Sequence, residues 1–215
     1  MNALSEELLK IIEKSKRQLY KYFNNNDTNT ICLIGIGGGG TNILDDIFEF
    51  DNKYRFISIN SDYNALKNKK SQYKILLGEK SKKGLGCGGN ELCGSSIVDK
   101  KTKDELYRYT KNIKNIYVIA SLGGGVGSGA SPEIINYLKT IGKTTIVFSI
   151  LPFKFEGTKR IERALKSQNK IIKVSDKLYV VDNNKFLHYK DCKNNGMKSF
   201  FKTISYSIYK KLKED

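Results

Sequence analysis

A chain of 215 residues with 39% hydrophobic content can bury a full core, and two prolines among many periodic segments argue against general disorder. No apolar run approaches the ~20 residues of a membrane span, and four cysteines without a C-x-x-C pair beside the single His188 exclude the usual zinc sets, so reduced thiols in a cytoplasmic protein are expected. The formal charge of +16 would gather polyanions, yet its lysine clusters lack the aromatic platforms and base-reading motifs of a nucleic-acid binder, so solvated faces are expected, with a membrane surface or other anionic partner as the alternative.

Leu4, Leu8, Ile11, Ile12, Leu19 and Phe23 recur at helical spacing, which predicts an N-terminal amphipathic helix and polar linker over residues 1–29. Glu6 and Glu7 stand where a signal peptide would be apolar. The apolar run Ile31 to Ile36 reads as a buried strand and feeds directly into Gly37-Gly38-Gly39-Gly40-Thr41-Asn42 and a helix through Phe50, the order of a phosphate loop. Gly35, Gly37 and Gly40 also satisfy G-x-G-x-x-G, with Asp62 just past the next strand, so a dinucleotide-binding fold is a rival reading. Phe56 to Asn60 and Tyr73 to Leu77 read as further strands. Gly84 to Asn90 is another glycine-rich loop, followed by a helix from about Ser95 to Lys111.

The strand Ile116 to Leu122 leads into the central loop, Ser121 to Pro132. Its glycines, Gly123, Gly124, Gly125, Gly127 and Gly129, predict φ > 0 and a row of N–H groups open to an anion, while a helix opened by Pro132 would add the positive end of its dipole. A flexible linker would not lie between a buried strand and an amphipathic helix. Glycine loops at three places exceed what a dinucleotide fold needs. Beyond them, Glu133 to Ile141 is helical and Thr144 to Leu151 is a strand. Pro152 to Arg160 is a loop entering a helix to about Val174, Leu178 to Val181 is a strand that exits at Asn183, and Met197 to Lys213 is the last helix. Gly142-Lys143-Thr144 is not a P-loop, since Tyr137 stands where its first glycine should be and helix precedes strand. The alternation implies an α/β, Rossmann-like fold whose largely parallel sheet has helices on both faces.

Five segments in this order resemble the nucleotide-binding domain of the FtsZ and tubulin family, the bacterial FtsZ branch in particular. They are Gly37 to Asn42, Asn60-Ser61-Asp62, Gly84-Leu85-Gly86, Gly123-Gly124-Gly125-Val126-Gly127-Ser128-Gly129, and Pro152-Phe153 with Phe155-Glu156-Gly157. The resemblance implies GTP or GDP, with Mg2+ accompanying GTP. It places Gly38, Gly39, Gly40, Thr41, Asn42 and Gly86 on the phosphates together with the central run Gly123 to Gly129, namely Gly123, Gly124, Gly125, Val126, Gly127, Ser128 and Gly129. Glu156, Arg160, Asn183 and Ser205 fall at its ribose and base positions.

Three departures shape the expected function. Val126 replaces a usual threonine, Ser205 stands where the family recognises guanine with an aspartate, and the sequence ends at Asp215, before the family's acidic catalytic loop and second domain. The expectation is a GTP-binding domain over residues 30–196, completed by a final helix over 197–215, with relaxed base choice and no catalytic residue or metal ligand of its own. Such a chain would self-associate or co-assemble with a full-length relative and hydrolyse little GTP alone. The alternative is a nucleotide-stabilised regulatory or scaffold module acting through the basic surface or the N-terminal helix.

Overall fold

The computed structural model describes residues 31–79, 84–186 and 196–214. The predicted N-terminal helix, His188 and Cys192 lie outside the described residues. Six short, mainly apolar runs form the strands β1 (Ile31–Ile36), β2 (Arg55–Asn60), β3 (Tyr73–Leu76), β4 (Asn115–Ser121), β5 (Thr144–Leu151) and β6 (Lys177–Asp182). They make one sheet in the order β3-β2-β1-β4-β5-β6, with every neighbouring pair parallel. Between them run α1 (Gly37–Phe50), α2 (Tyr63–Lys67), α3 (Glu91–Ser96), α4 (Lys100–Thr110), α5 (Gly125–Thr140), α6 (Thr158–Val174), α7 (Asn183–Phe186) and α8 (Gly196–Glu214).

Alternation along the strands divides the core into two layers. Cys32, Ile34, Ile36, Val118 and Ala120 face α5 and α6, where Ile134, Leu138, Ala164 and Ile171 cover them. Leu33, Tyr117, Ile119 and Phe148 face the opposite way, against Ile43, Leu44 and Ile47 of α1 and Ile204, Ile208 and Leu212 of α8. A sheet buried on both faces explains why its central strands read as continuous apolar runs. The strand order reverses between β1 and β4, which opens a crevice at their carboxyl ends.

Two expectations about local structure are corrected. The helix after the central loop begins at Gly125, and Pro132 lies inside it rather than opening it. A proline there removes the N–H that would bond the Ser128 carbonyl. That carbonyl instead accepts the Ser167 hydroxyl of α6 at 2.8 Å, so no buried acceptor is stranded and the helix tolerates the proline. The helix expected from about Ser95 to Lys111 is broken in two, because Asp99 caps α4 by accepting from the Thr102 N–H at 2.9 Å.

The cysteines are corrected as well. Cys87 and Cys93 form a disulfide between the Gly84 to Asn90 loop and α3, so these thiols are not reduced. Cys32 is a free, fully buried thiol whose pKa burial pushes far up, which leaves it inert. Lys143, of the discarded P-loop match, donates to the carbonyls of Thr110 (2.6 Å), Lys111 (3.1 Å) and Ile113 (2.8 Å), a structural commitment that ties the end of α4.

Candidate functional site

The helices that follow β1 and β4 begin on the same edge of the sheet, so the first turns of α1 and α5 wall the crevice. Neither is capped by a side chain: Ile36 and Gly124 hold the N-cap positions and bond none of the first-turn N–H groups. Both helices therefore present spare donors and the positive ends of their dipoles to one cleft of about 430 Å³. Such an arrangement, built from backbone alone, suits an anion.

Its glycines serve close approach more than left-handed geometry, which corrects the expectation of φ > 0 throughout the central loop. In that loop only Gly123 is left-handed, at φ 95°. A Cβ on Gly127 would lie 1.9 Å from the Ser121 carbonyl oxygen, one on Gly40 2.4 Å from that of Ile119, and one on Gly129 2.1 Å from that of Glu91. A Cβ on Gly37 would reach within 3.1 Å of the Gly127 nitrogen, so the two helix starts meet backbone to backbone. Gly38 and Gly124 differ: a Cβ there meets nothing within 4 Å, and both residues line the cleft.

Of the sequence-predicted phosphate residues, Gly38, Gly39, Gly86, Gly124, Gly125, Val126 and Gly127 line this cleft, as does Arg160. Gly40, Thr41, Gly123, Ser128 and Gly129 stand behind it. The Thr41 hydroxyl donates to the Gly38 carbonyl (3.0 Å) and the Ser128 hydroxyl accepts the Gly123 N–H (2.7 Å), so both hold turns. Glu156 does not line the cleft. It accepts the Phe153 N–H at 2.7 Å and pairs with Arg160 at 3.1 Å, which steadies the guanidinium at the cleft.

Sequence reasoning missed Ser61 as a contact residue. Its hydroxyl lines the cleft, is buried, and has no hydrogen-bond partner, a state that a ligand oxygen would relieve. The neighbouring Asn60 amide oxygen accepts the Ser61 N–H at 2.8 Å and fixes the residue in place. Asp62 also lines the cleft, but its Oδ1 caps α2 by accepting the Ala65 N–H at 3.0 Å, which leaves Oδ2 alone where the dinucleotide reading needs a carboxylate that accepts from a ribose with both oxygens. Among the described residues no group of three or more His, Cys, Asp or Glu side chains could hold a metal ion.

A second pocket, of about 570 Å³, adjoins the first through the shared residues Gly39 and Ser121. Asn42, Ile43 and Asp46 of α1, Ile150 of β5, Asn183, and Lys198, Phe201 and Lys202 of α8 line it. Asn183 is buried, and its Oδ1 has no hydrogen-bond partner. Asn42, expected at the phosphates, sits here and accepts from Lys69 at 2.5 Å. Hydrogen bonds from Lys70 and Lys202 hold the carboxyl of Glu49, also in this wall, below its ordinary pKa.

Ser205 is the clearest displacement from the sequence expectation. It is fully buried behind the wall, where its hydroxyl donates to Asp46 Oδ2 at 2.6 Å and lies 2.9 Å from the Phe201 carbonyl. The position expected to meet a base therefore supports the wall, while Asp46 and Phe201 form it.

Comparisons with known proteins agree with this geometry. Residues 30–191 match the family described as Tubulin/FtsZ family, GTPase domain. The chain is 36% identical over 159 residues to the cell division protein FtsZ of Helicobacter pylori strain J99, covering 73% of this chain and 41% of that protein. It is 31% identical over 187 residues to cell division protein FtsZ 1 of Pyrococcus abyssi, covering 86% of this chain and 47% of that one. Among solved structures, the empty FtsZ dimer of M. jannaschii superposes with a TM-score of 0.75 at 28% identity, over 91% of this chain and 56% of that one. The chain thus spans about half the length of the relatives it matches.

Proposed function

Because the chain belongs to the tubulin/FtsZ family and carries its GTPase domain, we propose that it binds GTP or GDP with the phosphates between the first turns of α1 and α5 and the base in the adjoining pocket. The observation that carries this reading is the convergence of two uncapped helix N-termini on one cleft, with an unpartnered hydroxyl at Ser61 and an unpartnered amide oxygen at Asn183 spaced along the joined pockets. Backbone N–H groups of Gly38, Gly39, Gly124 and Gly125 would meet the phosphate oxygens, and Arg160, steadied by Glu156, would neutralise charge at the rim. Mg2+ bound with GTP would draw its ligands mainly from phosphate and water oxygens and supply charge neutralisation. Asp62 is the one carboxylate among the described residues lining the cleft.

In this reading the protein works as an FtsZ-like cytoskeletal protein of cell division, associating with itself or with a full-length relative. Donors from two helix starts stabilise phosphate charge, but hydrolysis also needs an oriented water. Asp62, the one carboxylate lining the cleft among the described residues, has Oδ1 committed to capping α2 and only Oδ2 left to face it; in this reading the pure chain turns over slowly and a neighbouring subunit supplies the group that orients the water. Two measurements test this. Mass spectrometry of the purified protein should find co-purified guanine nucleotide, and phosphate release should stay low as the protein is concentrated but rise on adding a full-length homologue. An empty protein that also fails to bind added GTP would overturn the binding reading, and turnover rising with the concentration of the chain alone would overturn the need for a different partner.

A further inference from the structure

α1 carries three carboxylates near the second pocket, and their partners differ. Asp45 accepts from the Lys70 N–H at 2.9 Å and pairs with Lys69 at 3.2 Å. Glu49 is held by Lys70 and Lys202. Asp46, which lines the pocket, has no ion pair among the described residues: its Oδ2 accepts the buried Ser205 hydroxyl at 2.6 Å, and its Oδ1 has no hydrogen bond there. A carboxylate is thus aimed by one neutral donor, at the end of the joined pockets away from the first turns of α1 and α5. Apolar surface from Ile43, Ile150 and Phe201 surrounds it, which suits a flat ring, and Lys198 lines the same space.

We propose that Asp46 is the residue that selects the base, with Ser205 as its positioning residue; this rests on the nucleotide-binding reading above. A carboxylate accepts only, and its two oxygens can take both the N1–H and the 2-amino group of guanine. Adenine presents a lone pair at N1, which the carboxylate repels. Hypoxanthine keeps N1–H but lacks the 2-amino group, and xanthine replaces that group with an oxygen. The wild-type order is therefore GTP first, ITP about 10- to 100-fold weaker for the loss of one hydrogen bond to a charged group, and XTP and ATP weaker still.

Asparagine at this position accepts once and donates once, the complement of xanthine. Asp46→Asn should therefore reverse the order of GTP and XTP, while an acceptor remains for Ser205. Ser205→Ala should lower the GTP to ITP ratio several-fold, which a uniformly loosened pocket would not do. The experiment is equilibrium competition of GTP, ITP, XTP and ATP against a fluorescent guanine nucleotide for the full chain and both variants. Wild-type protein that binds none of them overturns the nucleotide reading itself. Wild-type protein that binds GTP and ITP equally overturns the role of Asp46 alone and needs no variant, as does an Asp46→Asn protein that binds GTP with the wild-type order.

Discussion

Replacing Gly127 and Gly124 with alanine, one at a time, should separate folding from binding within four residues of chain. At Gly127 the new methyl would stand 1.9 Å from the Ser121 carbonyl oxygen; the Cβ is fixed by the backbone and the oxygen belongs to it, so neither can rotate away. The end of β4 and the first turn of α5 must part by about 1 Å in an interior packed to crystal density. Overpacking typically costs about 1–3 kcal/mol, and a clash with backbone belongs at the upper end. For a chain of this size, about 3 kcal/mol lowers the melting temperature by about 6–12 °C. At Gly124 the methyl meets no atom within 4 Å and the residue holds an extended φ of −88°, so the melt should stay within the roughly ±0.5 kcal/mol of a neutral surface change. The methyl would project into the cleft and hold a phosphate off the α5 N–H groups, and losing one charge-assisted bond weakens GTP about 10- to 100-fold. Calorimetric melts and GTP titrations of both variants provide the assay. A Gly124→Ala protein with wild-type affinity would refute the phosphate site, and a Gly127→Ala protein with a wild-type melt would refute the close contact.

Two further outcomes follow from the fold. Ser167→Ala should cost about 1–3 kcal/mol by stranding the buried Ser128 carbonyl, and the cost should shrink in a Pro132→Ala background, where residue 132 regains an N–H for that carbonyl; equal costs in both backgrounds, measured by denaturant unfolding, would rule the compensation out. Backbone N–H donation from Thr145 to Asp176 and from Thr102 to Asp99 holds both carboxyls below their ordinary range. The stability they contribute is complete above the unfolded value of ~3.9 and is lost as pH falls through the lower folded values. Melting temperature should therefore drop in that acid window, and Asp176→Asn should flatten part of the drop; an unchanged acid slope in the variant would contradict the assignment.

Strands and the glycine-rich turns that follow them are legible because their causes are local. A run such as Ile31 to Ile36 needs two apolar layers, and glycines after a strand can be read without knowing the partner. What escaped the sequence depends on residues far apart in the chain. Pro132 is an ordinary helix-opening signal until the Ser167 hydroxyl, from another helix, is seen to satisfy the carbonyl it strands. The reason for Gly127 lies in the Ser121 carbonyl, so φ was a reasonable but mistaken explanation. Ser205 was placed by its position in a pattern, whereas its orientation is set by Asp46, more than 150 residues away. The Cys87–Cys93 link follows no spacing rule, and the second pocket exists only once α1, α7 and α8 come together.

The backbone contact between Gly37 and Gly127 has a mechanical consequence. Most helix interfaces are cushioned, because side chains between them can change rotamer and absorb a small displacement. Here no side chain intervenes, and the contacting atoms are stiff peptide units. A shift of the α1 start toward α5 therefore meets backbone at once, with no rotamer change available to absorb it. α5 in turn rests through Gly129 on α3, again backbone against backbone. Three helices, α1, α5 and α3, thus touch in series through backbone alone, from one wall of the cleft to a helix that carries the exposed Leu92.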